Sequence, residues 1–323
     1  MRLEDFDYEL PKELIAQKPA EPRDHSRLLV LHRDGGMEHR MFYELPEYLG
    51  EGDVLVFNRS RVIPARLKGY KETGAKMEIL LIREVGGKWE ALIRPSRKVR
   101  IGVPIRVGEY KIEVLERKES GLFVLEVPDG ALKEGEIPLP PYIRTKIENP
   151  ERYQTIFADR DGSIASPTAG LHFTENLISR IKEKGVRIGF ITLHISLDTF
   201  RPIKNAESHK LYKEYCEVDE ETVRLIKGAK RVICVGTTVV RALETCALEG
   251  EPRPFFGFTE LFIKPGFEFK VTDALITNFH LPRTTLLMLV CAFAGREKIM
   301  RAYEEAKKLG YRFYSFGDAM LIL

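Results

Sequence analysis

The half of the chain beyond Pro150 alternates between two spacings of hydrophobic residues. Leu177, Ile178 and Ile181 follow the 3.6-residue spacing of a helix, and the apolar run 186–194 that comes next has the length of a buried strand. The predicted strands are 186–194, 232–235, 274–279 and 311–316, and the predicted helices begin at Thr174, at Asp219, at Thr237 or Thr238, at Thr284 and at Glu297. This alternation predicts an α/β domain with a mostly parallel sheet.

Between Asn58 and Pro150 the chain has short β-type runs and no helical period. The runs lie at 77–82, 89–93, 111–115 and 122–127 and are separated by Gly-Gly, Pro-Ser and Asp-Gly. This spacing predicts a small antiparallel β-barrel or sandwich. Strands at 28–31 and 54–57 precede it, so we predict a discontinuous α/β domain of residues 1–58 and 150–323 with a β-barrel domain inserted at 59–149. One large α/β unit is the alternative for a chain of 323 residues.

Composition places the chain among globular proteins, with 44% apolar and 31% charged residues. The longest apolar run, 286–294, is far shorter than the roughly 20 residues of a membrane-spanning helix, and the acidic first nine residues lack a signal-peptide pattern. We therefore expect a cytoplasmic protein.

The four cysteines have no Cys-x-x-Cys spacing, which predicts reduced thiols. The histidines have no paired ligand spacing, which predicts that the chain has no metal site.

The net charge of +3 neither requires nor excludes a nucleic-acid partner, so the distribution of charge matters more. Cationic residues cluster in one stretch, with four more just upstream. The stretch consists of Arg94, Arg97, Lys98, Arg100 and Arg106, and the upstream residues are Arg59, Arg61, Arg66 and Lys68. This stretch is either a set of solvated loop and strand faces or a contact surface for a phosphate backbone.

The segment Ser166 to Thr174 places small residues, hydroxyls and an imidazole directly before a predicted helix. Such a turn exposes free backbone N–H groups that suit a carboxylate or a phosphate. The alternative is an ordinary capped loop with His172 packed in the core.

A second segment, 232–241, reads as a strand, a glycine turn and a helix start. Ligands of open α/β sheets bind at the carboxyl ends of strands, so Gly236 and the residues after it could contact a nucleoside or its polar tail. A single glycine does not make the dinucleotide-binding fingerprint, and a plain strand–helix turn is the alternative.

In a third segment, Asn278 and His280 alternate along the predicted strand 274–279 and its end, and so share a face. That face points either into a cleft or into a satisfied core. Asp273 and Asp318 could be turn caps or carboxylates of the site.

Four strings together resemble the S-adenosylmethionine:tRNA ribosyltransferase-isomerase family: SPTAGLHFT at 166–174, VGTTVVRALE at 235–244, TNFHLPRTTLLMLVCAFAG at 277–295 and SFGDAMLI at 315–322. The likeness extends over nearly the whole chain. Residues 196–199 read Ser-Leu-Asp-Thr where the family typically has a Gly-Ala-Gly-Thr stretch, and Tyr212 stands where a histidine is expected.

The resemblance implies that the ribosyl part of S-adenosylmethionine is transferred to the 7-aminomethyl-7-deazaguanine base at the tRNA wobble position, giving epoxyqueuosine, adenine and methionine. S-adenosylmethionine is then a co-substrate and not a true cofactor, and no metal is implied. The partner is the tRNA that carries the deazaguanine precursor, and we expect a monomer.

This reaction needs a general base, for which His172 and His280 are candidates because imidazole titrates nearest neutrality. Thr168 and Asn278 complete the catalytic candidates. The candidates for binding S-adenosylmethionine are Gly170, Thr174, Gly236, Thr237, Thr238 and Arg241, and those for binding tRNA are Arg61, Arg66, Arg94, Arg97, Lys98 and Arg100.

Two rival hypotheses belong to other classes. An S-adenosylmethionine-dependent RNA methyltransferase would share the α/β domain, although the expected glycine fingerprint after the first strand is missing. A non-catalytic tRNA-binding protein would use the barrel as a reader and would consume no S-adenosylmethionine.

Overall fold

The computed structural model describes residues 2–196, 211 and 213–323. The strands in that part of the chain are β1 Arg27–Leu31, β2 Met37–Met41, β3 Asp53–Asn58, β4 Ser60–Val62, β5 Arg66–Tyr70, β6 Lys76–Val85, β7 Lys88–Arg94, β8 Ile105–Val107, β9 Tyr110–Arg117, β10 Phe123–Glu126, β11 Arg160–Ser163, β12 Arg187–Leu193, β13 Glu214–Val218, β14 Arg231–Val235, β15 Phe255–Thr259, β16 Ala274–Asn278 and β17 Ala319–Ile322. The α-helices there are α1 Glu175–Glu183, α2 Glu220–Lys227, α3 Thr237–Cys246, α4 Thr285–Ala294 and α5 Arg296–Lys308.

The chain folds into two compact units. Unit 1 consists of Met1–Arg61, Pro141–Arg160 and Ser166–Leu323, and unit 2 consists of Val62–Pro140 and Asp161–Ala165. The insertion predicted at 59–149 overlaps most of unit 2, whose second piece the sequence pattern did not indicate.

Unit 1 is built on a sheet whose described strands follow the order β15-β13-β12-β3-β14-β16-β17-β1-β2. Four neighbouring pairs are parallel, β12 with β3, β3 with β14, β14 with β16, and β1 with β17. The other four pairs in this part of the chain are antiparallel. The prediction of an α/β domain is confirmed, but the sheet is mixed and not mostly parallel, because β13, β17 and β2 each run against a neighbour.

The strand predicted at 311–316 is wrong, and the closing strand is β17 instead. Tyr311 and Phe313 are fully buried and produce the alternating pattern that suggested a strand. The backbone turns there, however, since Tyr314 has φ 72° and the Asp318 carboxylate accepts the backbone N–H groups of Arg312 at 2.8 Å and Arg27 at 3.1 Å. The alternation therefore reflects two buried rings on a turn.

Three helices begin where the capping residues predicted. Thr174 Oγ1 accepts the Leu177 N–H at 3.1 Å, Asp219 Oδ1 accepts the Thr222 N–H at 2.8 Å, and Thr284 Oγ1 accepts the Leu287 N–H at 3.3 Å. Each bond satisfies one of the N–H groups that a helix start leaves without a partner. Such a cap typically contributes about 1 kcal/mol.

The core of unit 1 includes a cluster in which residues of β3 pack against Phe173 and the buried face of α1. Phe57 on β3 packs edge-on against Phe173 with ring centroids 4.8 Å apart, and both rings are almost completely buried. The four cysteines are buried free thiols, as their spacing predicted. No α-helix among the described residues is long and apolar enough to cross a membrane.

Unit 2 contains a closed antiparallel barrel with the strand order β10-β7-β6-β5-β8-β9, as the sequence predicted. Gly69 on β5 shows how closely its strands approach. A Cβ at this position would lie 2.5 Å from the carbonyl oxygen of Arg106 on β8, a distance that no side chain tolerates. Glycine is therefore required where the barrel closes tightly.

Candidate active site

A pocket in unit 1 lies where β14 and β16 end and helices α3 and α4 begin. Its walls come from residues within the segments 166–169, 236–241, 277–286 and 314–315, together with Tyr142 and Ile195. Three of these segments are the ones whose residue types predicted a site. The position agrees with the rule that ligands of α/β sheets bind at the carboxyl ends of parallel strands.

Three buried polar atoms make this pocket a candidate binding site. Ser166 Oγ, Arg241 Nη2 and Asn278 Oδ1 are buried, belong to lining residues, and have no hydrogen-bond partner among the described residues. Leaving a buried donor or acceptor unsatisfied costs about 1–3 kcal/mol. Three such atoms in one pocket indicate that a polar ligand completes it.

The start of α3 supplies backbone donors to the same pocket. Gly236 has φ 97°, which an L side chain rarely adopts, and its carbonyl accepts the N–H groups of Val239 and Val240. The N–H groups of Thr237 and Thr238 belong to the first turn of the helix, where no earlier carbonyl is available to them. The lining at Gly236, Thr237 and Thr238 therefore favours a negatively charged group.

Arg241 lines the pocket, but most of its guanidinium is already engaged. Nη1 donates to the carboxylate of Glu214, and Nε donates to the carbonyl of Leu261 at 3.0 Å. The side chains of Glu214 and Arg241 are only 3% and 11% exposed. Because Glu214 neutralises the charge, Arg241 offers a ligand one N–H donor group, Nη2, and not an unpaired cation.

His280 lies in the pocket wall and is held firmly in place. Its Nε2 lies 2.8 Å from Thr277 Oγ1, its backbone N–H donates to the Tyr303 hydroxyl at 2.9 Å, and its carbonyl accepts from the Tyr8 hydroxyl. Burial lowers its pKa to about 3. The imidazole is therefore neutral at any physiological pH.

His172 does not line the pocket, and it is engaged at both ring nitrogens. Nδ1 lies 2.7 Å from Ser26 Oγ, Nε2 lies 3.1 Å from Asn278 Nδ2, and Phe42 stacks on the ring at 4.9 Å between centroids. Burial is the largest cause that lowers its pKa, to about 4, and it outweighs the nearby Asp318 carboxylate, which raises the pKa. Of the two proposed bases, the structure places only His280 at the pocket.

A family model described as "Queuosine biosynthesis protein" matches residues 3–322. This chain belongs to that family. It is 54% identical to the S-adenosylmethionine:tRNA ribosyltransferase-isomerase of Moorella thermoacetica and 51% identical to that of Carboxydothermus hydrogenoformans, over 100% of both chains in each case. The crystal structure of S-adenosylmethionine tRNA ribosyltransferase from Thermotoga maritima is similar over 99% of this chain and 100% of that one, with a TM-score of 0.59 and 44% identity.

In this queuosine-biosynthesis family member, two residues predicted to bind S-adenosylmethionine, Thr174 and Gly170, have structural roles outside the pocket. Thr174 caps α1 and its hydroxyl donates to Asp24, and Gly170 packs where a Cβ would lie 2.9 Å from Thr155 Cγ2. The two carboxylates left open also bind backbone. Asp273 accepts the Val232 N–H at 2.8 Å, and Asp318 holds the turn before β17.

Two aromatic residues of the pocket could not be predicted from motif spacing. The Tyr142 hydroxyl lies 2.6 Å from Ser315 Oγ, and the Tyr142 ring lies 4.8 Å from that of Tyr314. Tyr142 ends the proline-rich stretch 137–142, which belongs to none of the three segments whose residue types predicted a site. The signal for Tyr314 is conformational, because its φ of 72° is unusual for a bulky residue and therefore points to a constrained site.

The cationic residues divide between the two units. In unit 2, Arg94, Arg97, Lys98 and Arg100 are exposed, and none of them forms an ion pair with another described residue. Arg66 is half-buried in the same unit and donates to the Leu139 carbonyl at 3.2 Å. In unit 1, Arg61 forms an ion pair with Glu151.

The loop that departs from the family pattern lies mostly outside the described residues, as does Tyr212. Ser196 is described, and its N–H donates to Glu214 at 2.7 Å. Within the described ranges no group of three or more His, Cys, Asp or Glu side chains is arranged to hold a metal ion.

Proposed function

We propose that this chain transfers and isomerises the ribosyl group of S-adenosylmethionine onto 7-aminomethyl-7-deazaguanine at the tRNA wobble position. The products are epoxyqueuosine in the tRNA, adenine and methionine. Membership of the queuosine biosynthesis family supports the reaction. The observation that carries the proposal is the pocket of unit 1, where three buried polar atoms have no hydrogen-bond partner within the ranges that the structure describes.

The polar end of S-adenosylmethionine fits the start of α3. Its carboxylate would accept from the N–H groups of Thr237 and Thr238, with Gly236 giving the backbone the conformation that exposes them. Arg241 Nη2 and Ser166 Oγ could add hydrogen bonds to the same ligand. The sulfonium carries a positive charge, which a pocket with a neutral His280 and a neutralised Arg241 does not repel.

Two proton movements are needed for the reaction. The amine of the deazaguanine must be neutral to attack, and a C5′ proton beside the sulfonium must be removed by a base. His280 is our proposed base, with Thr168, on the 3-10 turn Thr168–His172, as a hydroxyl partner in the same pocket. Its pKa of about 3 keeps the imidazole unprotonated, so we expect no loss of rate from its protonation as the pH falls through 6.5.

Replacing His280 by Ala tests this role directly. We expect turnover to fall by about 10² to 10⁴ at saturating substrates. Asp219→Ala, a change at the α2 cap outside the pocket, is the matched control for a general loss of stability. An unchanged rate in His280→Ala would show that another group removes the proton.

For the tRNA we propose phosphate contacts on unit 2 through Arg94, Arg97, Lys98 and Arg100, because these side chains are exposed and have no ion-pair partner among the described residues. Arg61 and Arg66 are weaker candidates, since one is paired and the other half-buried. Each lost phosphate contact should reduce the slope of log K against log salt by about 0.7–0.9. An unchanged slope after charge reversal of the four residues would show that they are merely solvated.

One experiment tests the function as a whole. The chain is incubated with S-adenosylmethionine and tRNA that bears the aminomethyl precursor, and the nucleosides and small molecules are analysed by mass spectrometry. Epoxyqueuosine with equal adenine and methionine is the expected result. S-adenosylhomocysteine would indicate a methyltransferase, and intact S-adenosylmethionine with bound tRNA would indicate a binding protein.

The location and assembly of the chain follow from the same proposal. Both substrates belong to the cytoplasm, where we expect the protein to act as a monomer. Light scattering at the concentration used in the activity assay tests the assembly, because a mass near twice 37.1 kDa would contradict it.

A further inference from the structure

The orientation of the Asn278 amide is fixed by its surroundings. Nδ2 lies 3.2 Å from the carbonyl oxygen of Tyr314 and 3.1 Å from His172 Nε2. A carbonyl oxygen only accepts hydrogen bonds, so the atom that faces it must be the amide nitrogen and cannot be the amide oxygen. Tyr314 adopts its φ of 72° in this arrangement, a conformation that bulky residues rarely adopt.

The same geometry fixes the protonation of His172. Because Asn278 Nδ2 can only donate, His172 Nε2 must carry a lone pair, and the ring proton is on Nδ1. From there it donates to Ser26 Oγ at 2.7 Å, while Phe42 stacks on the ring. Both nitrogens of the neutral ring are thus occupied, and no lone pair is left to take a proton from a substrate.

The Oδ1 atom of Asn278 is a hydrogen-bond acceptor in the pocket wall. Both amide hydrogens of Asn278 are used by His172 and Tyr314, and its Oδ1 is buried with no hydrogen-bond partner in the described part of the chain. Asn278 itself is only 3% exposed and lines the pocket. An amide oxygen accepts from N–H or O–H groups, and it gains most from a charged donor.

We propose that His172 is a positioning residue which, together with Tyr314, aims Asn278 Oδ1 at an amino group of the bound substrate. The inference rests on the proposed function, which offers two such groups. One is the ammonium of the methionine part of S-adenosylmethionine, and the other is the aminomethyl group of the deazaguanine. His172 acts through Asn278. Of these two residues, Asn278 touches the substrate and His172 does not.

A pair of substitutions of similar size distinguishes positioning from proton transfer. In His172→Gln, the side-chain oxygen can still accept from Asn278 Nδ2, whereas in His172→Leu nothing can. We expect kcat/KM of the His172→Gln variant to be at least about tenfold higher than that of the His172→Leu variant. A factor of ten corresponds to about 1.4 kcal/mol, which is the contribution of one hydrogen bond. Equal and severe losses in both variants, with a titration between pH 5 and 8 that disappears in both, would identify His172 as the base and overturn the proposal.

A double-mutant cycle tests whether His172 acts through Asn278. Asn278→Ala removes the acceptor, and we expect kcat/KM to fall by about 10- to 100-fold. Adding His172→Leu to it should lower the rate little further, since the target of the positioning is already absent. Independent, multiplying losses would contradict the mechanism. Circular dichroism and urea midpoints of all variants check their folding, and if His172→Leu does not fold, His172→Ala, which likewise cannot accept from Asn278 Nδ2, replaces it in the cycle.

Calorimetry with S-adenosylmethionine in the absence of tRNA determines which of the two amino groups Oδ1 contacts. Weaker binding to Asn278→Ala assigns the methionine ammonium, and unchanged binding with a reduced kcat/KM for tRNA assigns the aminomethyl group. If neither changes, Oδ1 does not contact the substrate and the proposal fails. Formation of epoxyqueuosine by the unsubstituted protein is measured first, so that failure of the proposed function is recognised separately.

Discussion

Acidification should destabilise unit 1 through its two buried histidines. An unfolded histidine takes up a proton near pH 6.5, whereas burial lowers the pKa of His172 to about 4 and that of His280 to about 3. The unfolded chain therefore binds more protons in this window. The stabilisation is complete above about pH 6.5 and is lost as the pH falls toward the folded-state values.

The size of the effect hardly depends on how low the folded-state pKa values are. At about pH 5 the unfolded ring is mostly protonated and the buried ring is not, so each histidine should cost about 2 kcal/mol relative to pH 7.5, and both together about 4 kcal/mol. Because His172 and His280 are only 4% and 9% exposed, solvent screening reduces this little.

Urea unfolding followed by circular dichroism at several pH values measures this loss. His172→Gln and His280→Gln should each reduce the difference between pH 7.5 and 5 by about 2 kcal/mol, whatever they do to stability at neutral pH. His32→Gln is the control, since His32 is partly exposed and paired with Glu38. If the pH dependence is the same in the unsubstituted chain and in both buried-site variants, the argument from burial is refuted.

Three further changes have defined outcomes. Gly317→Ala should destabilise the turn before β17 by more than 2 kcal/mol, or prevent folding, because its Cβ would lie 2.4 Å from the Arg312 carbonyl; a urea midpoint near that of the parent would refute this. Glu214→Ala should destabilise by about 3–5 kcal/mol because it leaves the Arg241 charge buried and unpaired, and much of this should return in the double variant with Arg241→Leu. Thr174→Ala should lower stability by about 1 kcal/mol and leave S-adenosylmethionine binding intact, as calorimetry would show, since Thr174 caps α1 outside the pocket.

Local signals predicted much of the fold. The caps at Thr174, Asp219 and Thr284 and the apolar runs at β3, β14 and β16 depend on neighbouring residues, and the structure confirms them. The direction of a strand in the sheet does not depend on such neighbouring residues. A strand such as β17, with all four residues buried, has the same composition whether it runs parallel or antiparallel, so the mixed character of the sheet was not visible.

The site was predicted to the level of segments but not of roles. Spacing brought Asn278 and His280 to one face and identified the turn at Gly236, and all three residues line the pocket. The positioning role proposed for His172 depends on Ser26 and Asn278, which lie 146 and 106 residues away along the chain. Residue types along the chain do not show that distant residues occupy the ring nitrogens of His172. The sequence therefore could not distinguish His172 from His280 as a base.

The place of β17 in the sheet has a consequence for biosynthesis. Leu28 on β1 pairs with Ala319 on β17, so nearly the whole sequence is translated between the two partners. Until β17 is made, the hairpin of β1 and β2 and the strand β16 each present an open edge that can pair with another nascent chain. A ribosome that stalls before residue 319 would therefore release an aggregation-prone product.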